Sequence, residues 1–195
     1  MKTRIVSSLP LHSLTTHSCE NLYIADYKNL NGGDVILLEN EPNDIKCVHL
    51  SNPNQIIVCF DGFKDNALPI TIGHQSQQCE CVLFPERCAE TDWVLFVETK
   101  YANDRVAAFR EESNYPNGMV NQIIECVKYF RNKGIIDPTK KVHAIVSFPN
   151  LVEEFNSTIF QGDLSILDIL LTHRIIIRGT NSAIIISEKR IKLDS

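Results

Sequence analysis

The chain has 195 residues, 44% hydrophobic and 22% charged, which supplies enough apolar material for one domain with a real core and gives no sign of disorder. A formal net charge of −5 gives no general attraction to nucleic acid or anionic membranes, so any contact with a polyanion has to come from a locally built site. No run approaches the roughly 18 to 20 apolar residues of a membrane helix, and MKTRIVSSLPLHSLTTHSCE is too polar for a signal-peptide core, which leads to the expectation of a cytoplasmic protein with no membrane partner.

Taken in chain order, SLTTHSCENLYIADYKNL reads as a short helix and DVILLEN as a strand. IKCVHL and QIIVCFDGF are β-rich runs separated by Ser51-Asn-Pro-Asn54, a turn composition that predicts a hairpin. QCECVLF and WVLFVETKY are two more strands, joined by PERCAETD. Over residues 117–133, Val120, Ile123, Ile124, Val127 and Phe130 recur at helical spacing, with Asn117 at the N-cap position and Gly134 at the stop. KVHAIVSF reads as a buried strand, LSILDILLTH as a short helix, and HRIIIRGTNSAIIIS as a hairpin turning around Gly179 to Ser182. There is no internal repeat or linker, so the expectation is a single domain, 1–195, of mixed α/β class: a central mixed sheet flanked by helices, with an extra C-terminal β-hairpin. The basic clusters at 128–141 and 174–192 read as solvated faces.

The stretch DWVLFVETKYA mounts an acid and a base, Glu98 and Lys100, where an apolar strand leaves the core. An acid two before a lysine is weak by itself: Asp26-Tyr-Lys28 and Asp44-Ile-Lys46 have the same form, and composition yields roughly one by chance. Alternation puts Glu98 and Lys100 on the face of Phe96 and Val94, opposite Trp93, Leu95, Val97 and Thr99. A turn centred near Ala89 sets Val82 against Phe96 and Glu80 against Glu98. Like charges in that relation destabilise a sheet by up to about 1 kcal/mol. Two convergent carboxylates make sense around a hard divalent cation; the alternative is a rim acid and a solvent-exposed ion pair.

An acid opening one strand (Glu80), then Glu98-Thr99-Lys100 closing the next, followed by a helix and an apolar strand, resembles the PD-(D/E)XK nuclease superfamily, the restriction endonuclease-like fold. The resemblance covers about residues 55–148, with 1–54 and 149–195 as elaborations. It implies an α-β-β-β-α-β core in which 55–63, 78–84 and 93–100 are the three successive strands. By the same resemblance Glu80 and Glu98 would be metal-binding and catalytic, the Thr99 carbonyl a further metal ligand, and Lys100 the catalytic lysine. Glu80 stands where the family usually has Asp, and no proline precedes it. Gln122 would match the glutamine some members carry in the following helix, and Glu20 an acid in an N-terminal helix. The implied function is Mg²⁺- or Mn²⁺-dependent phosphodiester hydrolysis, with DNA rather than RNA as the nucleic-acid partner and a homodimer or larger complex open. The alternative is an inactive relative serving as an interaction module.

Other chemistry has less support. Seven cysteines, several inside apolar runs such as IIVCF and ECVKYF, read as reduced, packed thiols. Cys79-x-Cys81 with Cys88 lacks the spacing of a structural zinc site. His74, after Gly73 and six residues before Glu80, is the histidine closest in sequence to the proposed site, and its expected role is structural.

Overall fold

Apolar side chains on both faces of WVLFV require cover on both sides, and two separate cores supply it. Val82, Phe84, Val94, Phe96 and Val146 join one buried cluster, while Cys81, Leu83, Trp93, Leu95, Val97 and Ile145 join another. The computed structural model describes residues 1–10, 12–71, 74–161 and 164–194, with the side chains of 29, 70, 71, 74 and 75 outside that description. Along this chain run α1 (Lys2–Ser8), β1 (Thr15–His17), β2 (Asn21–Asp26), α2 (Lys28–Asn31), β3 (Val35–Leu38), β4 (Val48–Ser51), β5 (Val58–Gly62), β6 (Pro69–Thr71) and β7 (His74–Gln75). Then follow β8 (Cys81–Pro85), β9 (Leu95–Thr99), α3 (Arg105–Ala108), α4 (Tyr115–Asn132), β10 (Val142–Ser147), α5 (Asn156–Ile159), α6 (Ile166–His173), β11 (Ile175–Gly179), β12 (Ser182–Ser187) and β13 (Arg190–Leu193).

The class is mixed α/β, with two large sheets. The first has the order β1-β5-β8-β9-β10-β11, in which β8 is antiparallel to β5 and β9, while β10 and β11 run parallel to β9. The second has the order β13-β12-β4-β2-β3. Helices flank the first sheet as expected, and their buried residues gather on one of its faces. Every buried helical residue, from Ile5 through Met119, Ile123, Val127 and Phe130 to Ile169, belongs to the first cluster. The opposite face packs on the second sheet through Leu22, Ile24, Val35, Val48, Leu50, Ala183 and Ile185. Segments from both ends of the chain thus form one layer against the central strands.

Helix α4 starts at Tyr115, two residues before the expected Asn117, because Pro116 sits in its first turn, where a missing N–H leaves no bond unmade. It stops as expected, with Gly134 at φ +67° just past the end. Three readings fail, two of them for one shared reason. Residues 15–26 are strands rather than a helix; β4 and β5 are not a hairpin; and β11 and β12 are not paired across Gly179 to Ser182. In the last two cases the turn residues carry the chain from one sheet to the other. Asn52 is buried and spans the first crossing, donating to the Cys19 and Ile56 carbonyls and accepting from the Ile56 N–H. Asn181 spans the second, donating to the carbonyls of Phe148 and Leu151 while its own carbonyl accepts from His49 N–H. The C-terminal hairpin is instead β12–β13.

Candidate metal and phosphate site

The β8–β9 ladder pairs Val82 with Phe96 and Cys81 with Val97, the expected register. Glu80 stands one residue before the first rung, its N–H bonded to the Val97 carbonyl at 2.9 Å and its carbonyl accepting from Phe63 N–H. Glu98 lies inside β9 and is fully buried; Lys100 follows its end, with its N–H bonded to the Ser147 carbonyl of β10 at 2.9 Å. One ammonium reaches both acids: Lys100 Nζ is 2.6 Å from Glu98 Oε1 and 4.0 Å from Glu80 Oε1. The two carboxylates therefore open to the same side of the sheet, where they can act together.

Two further residues join them from the second sheet. Asp26, at the end of β2, is buried; its Oδ2 accepts from Thr99 Oγ1 at 3.1 Å, and its Oδ1 accepts from the backbone N–H of Lys28 at 3.0 Å. The Lys28 ammonium lies 2.8 Å from Glu80 Oε2 and 3.7 Å from Asp65. The Tyr101 hydroxyl accepts from Asp26 N–H and donates to the Lys46 carbonyl, closing the wall beside Asp26. Asp26 and Lys28 belong to the very triplet that composition alone would discount. No local signal could have promoted it, since Asp26 and Thr99 are 73 residues apart and meet only because the sheets stack.

Burial dominates the electrostatics. It pushes the Glu98 carboxyl up to about 8, with Lys100 opposing and Glu80 adding to the rise. Burial likewise raises Glu80 against the pull of Lys28. For Lys100 and Lys28 burial acts downward, but the Glu98 and Glu80 carboxylates outweigh it and hold both ammonium groups above their ordinary range. Glu98 has one close partner, the Lys100 ammonium 2.6 Å from Oε1, and no other described residue hydrogen-bonds to either of its oxygens.

Does this fit a divalent cation? Among the described residues no three His, Cys, Asp or Glu side chains form a ready-made metal-holding group. Mg²⁺ nevertheless asks for only one or two carboxylates, completing its shell with water and phosphate. Glu80 and Glu98 supply two carboxylates, and Glu98 Oε2 has no hydrogen-bond partner among the described residues. The cysteines do not compete: Cys79, which precedes β8, is buried in the first core and Cys81, the first residue of β8, in the second, so the two do not share a face.

The remaining expected residues divide. Gln122 lies near the site, its side chain donating to the Gln78 carbonyl and lining a cavity of about 500 Å³ with Asp65, Asn66 and Gly118. Asp26 and Tyr101 line a second cavity of about 380 Å³. Glu20 is exposed, and its carbonyl accepts from Asn52 N–H at the sheet crossover, away from the acids. Gly73 and the side chain of His74 lie outside the described residues. Arg131, read as part of a solvated basic face, instead donates to the carbonyls of His173 and Lys140 and is a structural tie.

Comparison with family models, with curated proteins and with solved structures gives no significant match. No helix among the described residues is long and apolar enough to cross a membrane.

Proposed function

We propose that the chain is a metal-dependent nuclease that hydrolyses phosphodiester bonds, with DNA rather than RNA as substrate. The observation that carries this reading is the convergence of Glu80 and Glu98 on one ammonium at the end of two paired strands, with both Glu98 oxygens otherwise unpartnered. The succession β5, β8, β9, α4 and β10, with smaller elements between them and β8 antiparallel to both its neighbours, supports the restriction endonuclease-like assignment, to which the second sheet is an addition.

In this reading Glu80, Glu98 and the Thr99 carbonyl would hold Mg²⁺ or Mn²⁺. When bound, the ion supplies Lewis acidity toward the phosphate and lowers the pKa of water. Lys100 faces the same side and offsets negative charge that grows on the phosphate oxygens in the transition state. Asp26 holds the Thr99 side chain by its hydroxyl and so fixes the end of β9.

A second reading, an inactive scaffold acting as an interaction module, is favoured by one observation: Lys28 already satisfies Glu80 at 2.8 Å. Titration of Mg²⁺ and Mn²⁺ with single- and double-stranded DNA separates the two. Metal-dependent cleavage that disappears in Glu98→Ala and Lys100→Ala is the expected result. Cleavage undiminished in both variants removes the site assignment, and absence of metal binding by calorimetry selects the interaction module.

A further inference from the structure

We propose that Lys28 is a built-in counter-cation of this site: its ammonium stands at Glu80 where a divalent cation would bind, and it has to leave when the metal arrives. The inference rests on the metal-site reading above and adds to it a residue and a mode of regulation.

Lys28 is held in place by more than one bond. Helix α2 begins directly after Asp26 and Tyr27, and the Asp26 carboxylate ties down the Lys28 N–H while itself held by Thr99 of β9. The backbone that presents this ammonium is thus fastened to the same strand end that presents Glu98 and Lys100. Its side chain then reaches Oε2 of Glu80, the oxygen that Lys100 does not approach, so the two lysines divide one carboxylate between them.

The neighbouring Glu98 is fully buried; Lys100 pairs with its Oε1 at 2.6 Å, while its Oε2 has no hydrogen-bond partner among the described residues and is open to a second cation. Buried carboxylates are tolerated when paired and costly when not. An ammonium parked on Glu80 keeps the metal-free protein folded, yet a divalent ion arriving beside two retained ammonium groups would meet like-charge repulsion in a desolvated site. Lys28 has somewhere to go. Asp65, whose side chain is exposed, already lies 3.7 Å from the same nitrogen, so a rotation of the lysine stem transfers the charge from the buried acid to the surface one.

The test is calorimetric titration of MnCl₂ into the full-length chain, comparing wild type with Lys28→Met, Lys28→Gln, Lys28→Arg and Glu98→Gln, with circular dichroism to check folding. Removing the competing charge is expected to tighten Mn²⁺ binding roughly tenfold in both neutral variants. Lys28→Arg should bind no tighter than wild type, and Glu98→Gln should lose binding. Without metal the Lys28→Met protein should melt below wild type, and saturating Mn²⁺ should raise its Tm by more. If wild type binds Mn²⁺, Glu98→Gln does not, and the neutral Lys28 variants bind no tighter, the role of Lys28 is overturned while the metal reading stands. If no variant binds, both fall together.

Discussion

Thr99 Oγ1 donates to Asp26 Oδ2 at 3.1 Å, and this bond joins the end of a central strand in one sheet to the end of a strand in the other. Both residues are buried, so water cannot replace either partner. Thr99→Val keeps the shape and removes the donor. It should lower stability by about 1–3 kcal/mol, with Tm falling about 2–4 °C for each kcal/mol in a chain of this size, read by urea and thermal unfolding. An unchanged midpoint would mean that the bond contributes nothing to sheet packing.

Glu98 makes stability depend on pH in an unusual direction. An unfolded carboxyl ionises near 4.5, whereas the folded group does so at about 8, so between these values the folded state binds the extra proton. Stability is then fully present below pH 4.5 and falls as pH rises through 8. Unfolding at pH 5, 7 and 9 in the absence of metal should show this contribution declining by an amount on the order of a few kcal/mol, and Glu98→Gln should flatten it. Metal affinity runs the other way, strengthening with pH as the proton departs.

His143 produces the opposite slope at acid pH. It lies on β10 between Leu95 and Ile176, its Nδ1 is buried without a hydrogen-bond partner among the described residues, and burial lowers its pKa to about 4. The unfolded imidazole takes a proton near 6.5. Stability is therefore lost as pH falls from about 6.5 toward 4, by about 2–3 kcal/mol. His143→Leu should remove this loss, as measured by denaturant midpoints at pH 7 and 4.5.

Gly62 fixes how closely the two sheets approach. A Cβ built there would lie 2.2 Å from the Val35 carbonyl oxygen of the facing layer, a contact only backbone movement relieves. Gly62→Ala should destabilise by about 1–3 kcal/mol or more through overpacking. An unchanged urea midpoint would show that the layers slide apart freely.

Much of the central sheet is legible in the chain itself. Period-two alternation with apolar residues on both faces marks β9 as central, the spacing of Ile123, Val127 and Phe130 marks α4, and the rung pairing Val82 with Phe96 follows from matching apolar runs across a short turn. These are local patterns, written within one element or between adjacent ones, and they were enough to bring Glu80, Glu98 and Lys100 together. What covers the second face was not legible. Ser51 to Asn54 and Gly179 to Ser182 have the composition of hairpin turns, but composition does not say whether a turn returns to its own sheet or crosses to another; here Asn52 and Asn181 decide it through bonds to distant carbonyls. That stacking alone decides the rest of the site, because Asp26 and Lys28 reach the acids by long-range packing of two sheets, an arrangement that no periodicity in the chain encodes.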